Sequence, residues 1–297
     1  MKVTLAQIAP RLGRLADNIN RHRELIGAGW ADGTDLLLFP ELSLTGYLLR
    51  DYTAQVALTT AELTKAFAAV PAGERDLDVV LGFVELSAGG HCYNAAAWLH
   101  LSPARPPALV HVHRKVHLPT YGMFDEGRYF SPGRRCAAFD GPGLGRAGLL
   151  LCEDAWHPSS VFLLAVDGPE YEGVTSLITL ANSPARGVQD TERETVANLE
   201  VWRRLNALWA ELYGLTVFHV QRVGVEDQYV FTGGSEILAP GGEPLVQAPL
   251  FDEALLSVEL DPAALSRRQR SVLPREPAGD VELVRRELAR IAREVYR

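Results

Sequence analysis

Cysteine is scarce in this chain of 297 residues: Cys92, Cys136 and Cys152 are three in number, with no C-x-x-C spacing among them. An odd, unclustered set supports neither a disulfide framework nor a zinc site, and it suits a reducing, cytoplasmic compartment. Positive charge is also short. Lys and Arg total 29 against 37 Asp and Glu, a formal net charge of -8, which leaves no basic footprint for nucleic acid or an anionic membrane surface. No apolar run approaches the roughly 20 residues of a membrane span, and the start of the chain has no apolar stretch of signal length. The eight His are scattered and no Walker-type loop occurs, so no metal or cofactor is expected. Linker-like, low-complexity and repeated segments are missing, so residues 1–297 read as a single domain.

What is present is an ordinary globular composition, 47% hydrophobic and 22% charged, enough for a sizeable core. Apolar strand patterns run over Val3 to Ala9, Leu36 to Phe39, Val79 to Val84, Asn94 to Leu99 and Ala108 to His113. Others cover Ser176 to Leu180, Thr216 to Val220, Gly234 to Leu238, Leu245 to Gln247 and Leu255 to Leu260. Helical patterns interleave with them. Asp17 can cap a helix from Asn18 toward Ala28, another starts at Asp51 or Thr53 and runs to about Ala69, and Thr191 to Tyr213 is the longest. Asp261-Pro262 starts a short helix, and Val281 to Tyr296 reads as a final amphipathic one. Strands in both hairpin and crossover arrangements, interleaved with helices, imply an α/β protein whose sheets are covered by helices.

Gly148 to Pro158 organises the rest. An apolar strand ends at Cys152, two acids follow, and Pro158 suits the first turn of a helix continuing through Val166. That order puts a thiol where backbone N–H groups converge, a setting that lowers a thiol pKa and exposes a nucleophile; the alternative is an inert core cysteine. Two further apolar strands end in reactive residues, Phe39-Pro40-Glu41 and His113-Arg114-Lys115. Thiol, carboxylate and ammonium on one rim form a usable set for opening an amide. Between Lys115 and Gly133 lies an aperiodic loop carrying Tyr121, Phe124, Tyr129 and Phe130.

Three motifs in this order, Phe39 to Tyr47, Arg114 to Phe130 and Leu151 to Trp156, closely resemble the nitrilase (carbon-nitrogen hydrolase) superfamily, and within it the glutaminase domain of glutamine-dependent NAD synthetases. The resemblance implies a four-layer α-β-β-α sandwich that pairs with a second copy through helices, here the one after Cys152 and that from Thr191 to Tyr213. It implies Cys152 as nucleophile, Glu41 as general base and later acid, Lys115 with the Glu153 backbone N–H as oxyanion donors, and Glu126 as a second acid. Tyr47, Tyr121, Trp156 and Ser183 fall where that group lines its substrate pocket; for Trp156 the alternative is aromatic core. The group places a basic residue directly after the glycine of its Ser-Pro loop, where this sequence has Val188, with Arg186 nearby as the candidate substitute.

The expected activity is hydrolysis of glutamine or another ω-amide through a thioester, with the ammonia used by a separate NAD synthetase, because no synthetase-type Ser-Gly-Gly loop occurs before Arg297. The alternatives are an amidase, N-carbamoyl amine hydrolase or nitrilase acting on another small substrate, and a non-catalytic partner subunit. Retention of Glu41, Lys115, Cys152 and Glu126 together argues against the last.

Overall fold

The computed structural model describes residues 1–68, 70, 73–187, 196–272 and 278–295. The first third of the chain supplies strands β1 (Lys2–Gln7), β2 (Leu36–Leu38), β3 (Leu77–Leu86), β4 (Cys92–Ser102) and β5 (Arg105–Arg114). Then come β6 (Phe139–Gly141), β7 (Gly145–Leu151), β8 (Ser176–Ala181) and β9 (Thr216–Gln221). The ribbon β10 (Val223–Glu226) and β11 (Tyr229–Thr232) precedes β12 (Glu236–Leu238), β13 (Pro244–Gln247) and β14 (Ala254–Glu259). Helices α1 (Leu15–Ala31), α2 (Thr60–Phe67), α3 (Glu126–Tyr129), α4 (Pro158–Val166), α5 (Ala197–Leu212), α6 (Pro262–Val272) and α7 (Ala278–Val295) interleave with them.

Two six-stranded sheets result, in the orders β14-β1-β2-β3-β4-β5 and β13-β12-β9-β8-β7-β6. Side-chain alternation along each strand divides the core in three. Val3, Leu5, Leu36, Leu38, Val80 and Trp98 of the first sheet meet Leu149, Leu151, Ile178, Leu180, Phe218 and Val220 of the second, forming the layer between sheets. The alternate residues Leu37, Phe39, Val79, Leu81 and Phe83 face Leu25, Ile26, Leu63 and Phe67 of α1 and α2. Leu150, Leu177, Ala181 and Val217 face Val161 and Leu164 of α4 and Trp202 and Trp209 of α5. The order is therefore helix, sheet, sheet, helix. Strands β1, β2 and β3 are parallel, and the β3-β4-β5 meander returns β5 to their direction, so β2 and β5 end on the same rim.

Several elements depart from the sequence reading. The α1 helix starts at Leu15, and Asp17 sits within its first turn with no side-chain cap made at Arg14. The expected Asp51 to Ala69 helix is a 3-10 segment, Arg50–Val56, followed by α2, whose start is set by a capping box between Thr59 and Glu62; Ala69 lies outside the described residues. Strand β5 begins at Arg105 and includes Pro106 and Pro107, tolerated because it is an edge strand with irregular register. Thr191 and Tyr296 lie outside the described residues; the structure shows the long helix from Ala197 to Leu212. Among the described residues no helix is long and apolar enough to cross a membrane.

Candidate active site

Strand ends bring the reactive groups together. Glu41 follows β2, Lys115 follows β5, Cys152 directly follows β7 and Asn182 directly follows β8. The backbone leading to Glu41 turns tightly over β3, and it packs so close that a Cβ on Gly82 would stand 2.2 Å from Leu42 N and 2.7 Å from Glu41 C. Only glycine fits there. Two turn residues take left-handed backbone, Leu42 at φ 46° and Cys152 at φ 43°. For a non-glycine residue that conformation costs of order 1 kcal/mol or more and persists only where surrounding structure fixes it. At Cys152 it opens a 3-10 turn, Cys152–Trp156, that continues into α4 with Pro158 in its first turn.

The polar centre is closed to solvent around its charged groups. Glu41 and Lys115 are fully buried, Glu126 nearly so, and Cys152 alone of the four keeps partial exposure. Lys115 Nζ donates to Glu41 Oε1 at 2.8 Å and to Glu126 Oε1 at 2.7 Å. Glu41 also accepts from Asn94 Nδ2 at 2.7 Å and from the backbone N–H of Asn182 at 2.7 Å. Three donors on one carboxyl group define it as a carboxylate. Glu126 differs. Its Oε1 accepts from Lys115 and from Tyr47 Oη at 2.6 Å, while its Oε2 is buried without a partner among the described residues. Burial and the Glu41 carboxylate raise its pKa, Lys115 opposes them, and the balance is about 7. Burial works against the Lys115 ammonium, yet Glu126 and Glu41 outweigh it and hold that group well above its usual range.

The thiol runs against the sequence expectation of a lowered pKa. Burial first, then the Glu41 carboxylate, push Cys152 well above the ordinary thiol range; Lys115 and the Asn182 backbone pull the other way without reversing the shift. The Lys115 ammonium is already shared by two acids, which sequence could not show. Burial thus favours the protonated form of the resting thiol.

A second set of residues, unrecognised in the sequence, fixes this centre. Asp154 is fully buried. Its Oδ1 accepts the backbone N–H groups of Val116 at 3.0 Å and His117 at 2.8 Å, and its Oδ2 accepts from Leu151 N at 3.3 Å and His113 Nε2 at 2.8 Å. One carboxylate thus ties the segment carrying Lys115 to the turn carrying Cys152. Burial alone would raise the Asp154 pKa, but the His113 bond and charge and the backbone donors outweigh it and hold it below the usual range. Glu226, paired to the buried Arg222, accepts the N–H groups of Tyr47 and Leu48 at 3.0 Å each, which orients the Tyr47 ring toward Glu126. Asn198 on α5 donates to Ser183 Oγ at 3.0 Å and Pro184 O at 2.6 Å, holding the Ser-Pro loop.

The residues expected around the substrate divide into two groups. Tyr47 joins the acid cluster directly, and Tyr121 Oη donates to Glu153 Oε1 at 2.9 Å at the exposed mouth. Arg186 lies over the Phe124 ring at 5.1 Å, and Tyr121 meets the same ring edge-on at 5.8 Å, so the cation stands at that mouth. Ser183 is buried and turned to Asn198, with its N–H given to Gln221 Oε1 at 2.8 Å. Trp156 meets Trp202 edge-on at 5.4 Å and packs on the α5 side of the core. That contact agrees with its aromatic-core alternative. Val188 lies outside the described residues. Among the described residues no group of three His, Cys, Asp or Glu side chains is arranged to hold a metal ion.

A strand-end cysteine beside a buried carboxylate and ammonium, in a helix-sheet-sheet-helix sandwich, defines a class, and comparison with known proteins agrees. The carbon-nitrogen hydrolase family profile matches residues 2–270, and the chain belongs to that family, enzymes that cleave C–N bonds by hydrolysis. It is 32% identical over 260 residues to a glutamine-dependent NAD(+) synthetase of Acinetobacter baylyi, covering 88% of this chain and 44% of the relative. An (R)-stereoselective amidase of Pseudomonas sp. is 34% identical over 262 residues, covering 88% and 85%. The solved glutamine-dependent NAD+ synthetase of Acinetobacter baumannii, in complex with adenosine diphosphate, superposes with a TM-score of 0.74 at 30% identity, covering 89% of this chain and 46% of that one. The chain thus spans less than half the length of the synthetases it matches, and its architecture is the nitrilase sandwich.

Proposed function

We propose that residues 1–297 form one catalytic unit that hydrolyses the side-chain amide of glutamine or a similar ω-amide, with Cys152, Glu41, Lys115 and Glu126 as its machinery. The Cys152 sulfur attacks the carboxamide carbon as its proton passes to Glu41. The oxygen that becomes negative is met by Lys115 Nζ and the Glu153 backbone N–H. Glu41 returns the proton to the departing nitrogen, ammonia leaves, and a thioester remains on Cys152. Water then attacks the thioester carbon, giving its proton to Glu41, and the carboxylic acid departs as the thiol is restored. One amide and one water become one acid and one ammonia. Glu126 and Tyr47 hold Lys115 on its axis throughout.

The observation that carries the glutamine reading is the pair of opposite charges at the mouth, Glu153 held by Tyr121 and Arg186 over Phe124. An α-amino acid presents a matching ammonium and carboxylate. In this reading the ammonia serves a partner NAD synthetase, by analogy with the relatives named for that reaction. The similarity to the amidase, which the chain covers over 85% of its length, favours the second reading of a free-standing amidase. We also propose self-association through the outer helices, where Leu163 on α4 and Leu208 on α5 are 51% and 45% exposed.

Ammonia release from glutamine and from butyramide separates the two. Because a site built on polar partners rejects analogues lacking them, glutamine should lead in kcat/KM by about a thousandfold, and Arg186→Ala should raise KM for glutamine alone. Equal turnover of both amides removes the glutaminase reading and leaves the amidase.

A further inference from the structure

Away from the mouth, a cleft of about 470 Å³ opens at the edge of the sandwich, within the size range of small-molecule sites. Its walls include Arg114, Arg134, Arg135, His113, Tyr93 and Glu85, and none of Glu41, Cys152 or Lys115 lines it. Charge in this cleft runs against the acidic chain. Among the described residues its single lining acid, Glu85, is held bidentate by Arg114 at 2.6 and 2.7 Å, and the Arg114 guanidinium lies 4.1 Å over the Tyr93 ring. That leaves the Arg134 and Arg135 side chains, both exposed and without an ion pair or hydrogen bond among the described residues.

The cleft also touches the catalytic framework. His113 is a wall residue, 3% exposed, and its Nε2 bonds Asp154 at 2.8 Å, the carboxylate that ties the Lys115 segment to the Cys152 turn. No protein group among those described partners its Nδ1. A ligand seated in the cleft would therefore contact the ring that orients Asp154.

We propose that this cleft is a second site, binding a small phosphate- or carboxylate-bearing molecule through Arg134 and Arg135, and that its occupancy alters catalysis through His113 and Asp154. Two unpaired guanidiniums provide the bidentate donors that either anion takes, and the flanking Tyr93 and His111 rings accommodate an organic body.

Calorimetric titration of the full chain at low salt, with inorganic phosphate and separately with succinate, distinguishes the two anion sources. At least one should bind saturably with Kd of about 1 mM or below, and the Arg134→Ala/Arg135→Ala double variant should bind it at least about tenfold more weakly with unchanged basal hydrolysis. Amide hydrolysis with that anion near saturation should change kcat or KM by about twofold or more, a shift absent from the double variant. Failure of both anions to bind, or equal binding by the double variant, overturns the site. Binding that leaves kcat and KM unmoved overturns its link to catalysis. The rate arm rests on the hydrolase reading whereas the calorimetric arm does not, so failure of that reading leaves the binding result standing.

Discussion

Removing the Asp154 carboxylate is the sharpest test of how the two halves of the site are joined. Asp154→Ala leaves three backbone N–H groups, of Leu151, Val116 and His117, and His113 Nε2 without their acceptor. An orphaned buried donor costs about 1–3 kcal/mol, and water entering the space left by the side chain keeps each near the lower end, so the total is roughly 4 kcal/mol. For a chain of this size the melting temperature should fall by about 6 °C. Asp154→Asn keeps one oxygen for Val116 and His117 but turns an amide N–H₂ toward the Leu151 N–H and His113, so roughly half that loss is expected.

Catalysis should suffer more than stability, because Val116 and His117 directly follow Lys115. Displacing a catalytic group by about 1 Å costs of order a hundredfold in rate, so Asp154→Asn should lower kcat/KM by about that factor even where the folded protein predominates. Urea unfolding gives the stability and ammonia release gives the rate. An Asp154→Ala protein within about 1 kcal/mol of wild type, turning over amide normally, refutes the tie.

Cys152→Ala should abolish turnover by several orders of magnitude with the fold intact, and an electrophilic amide analogue should label Cys152 but neither Cys92 nor Cys136; appreciable residual activity shows the nucleophile is another group. Glu41→Gln and Lys115→Ala should each approach that loss, and either one combined with Cys152→Ala should add little more; full additivity contradicts a shared mechanism. Glu126→Gln tests the acid whose pKa stands near 7 instead of 4.5. The folded protein holds this proton where the unfolded chain has released it, so the stabilising contribution is complete below about 4.5 and is lost as pH rises to about 7, by of order 3 kcal/mol. The difference between variant and wild-type unfolding free energies should therefore shift toward the variant across that window, and a constant difference rejects the raised pKa. Buried histidines such as His22 and His219, with pKa values lowered to about 4 and 3, oppose the slope in both proteins and cancel in the comparison.

How much of this was legible in the chain follows from the range of each interaction. An apolar strand stopping at a reactive residue is a local pattern, so the ends carrying Glu41, Lys115 and Cys152 could be read without knowing how the strands pair. The alternation that divides Leu149 and Leu151 from Leu150 is local too, and it placed strands that the sheets then confirmed. Asp154 was visible only as one of two acids after the cysteine, since its partners lie up to 41 residues away. Glu226 gave no signal at all. Its contact with Tyr47 spans 179 residues and depends on the β10-β11 ribbon, whose strands were not recognised. Proline content hid the start of β5, because the rule against proline in strands relaxes at an edge and edges are settled only by the whole sheet.

The thiol shows why proximity of charges is a poor guide to ionisation. With Glu41 a carboxylate, Lys115 an ammonium and Glu126 at a pKa of about 7, the buried cluster carries no net positive charge that would favour a thiolate. Loss of the Cys152 proton to solvent would leave it with a net negative charge in a medium that solvates charge poorly, so the thiol is held high. Transfer of that proton to Glu41 leaves the count unchanged: a thiolate replaces a carboxylate, with Lys115 still present to balance it. In the proposed mechanism attack and proton transfer are therefore coupled, and a free thiolate need not accumulate before substrate arrives. The buried Lys115 can stabilise the oxyanion for the same reason. In the proposed mechanism Glu41, on becoming neutral, releases its hold on one ammonium N–H, and that donor turns to the substrate oxygen as the oxygen gains charge.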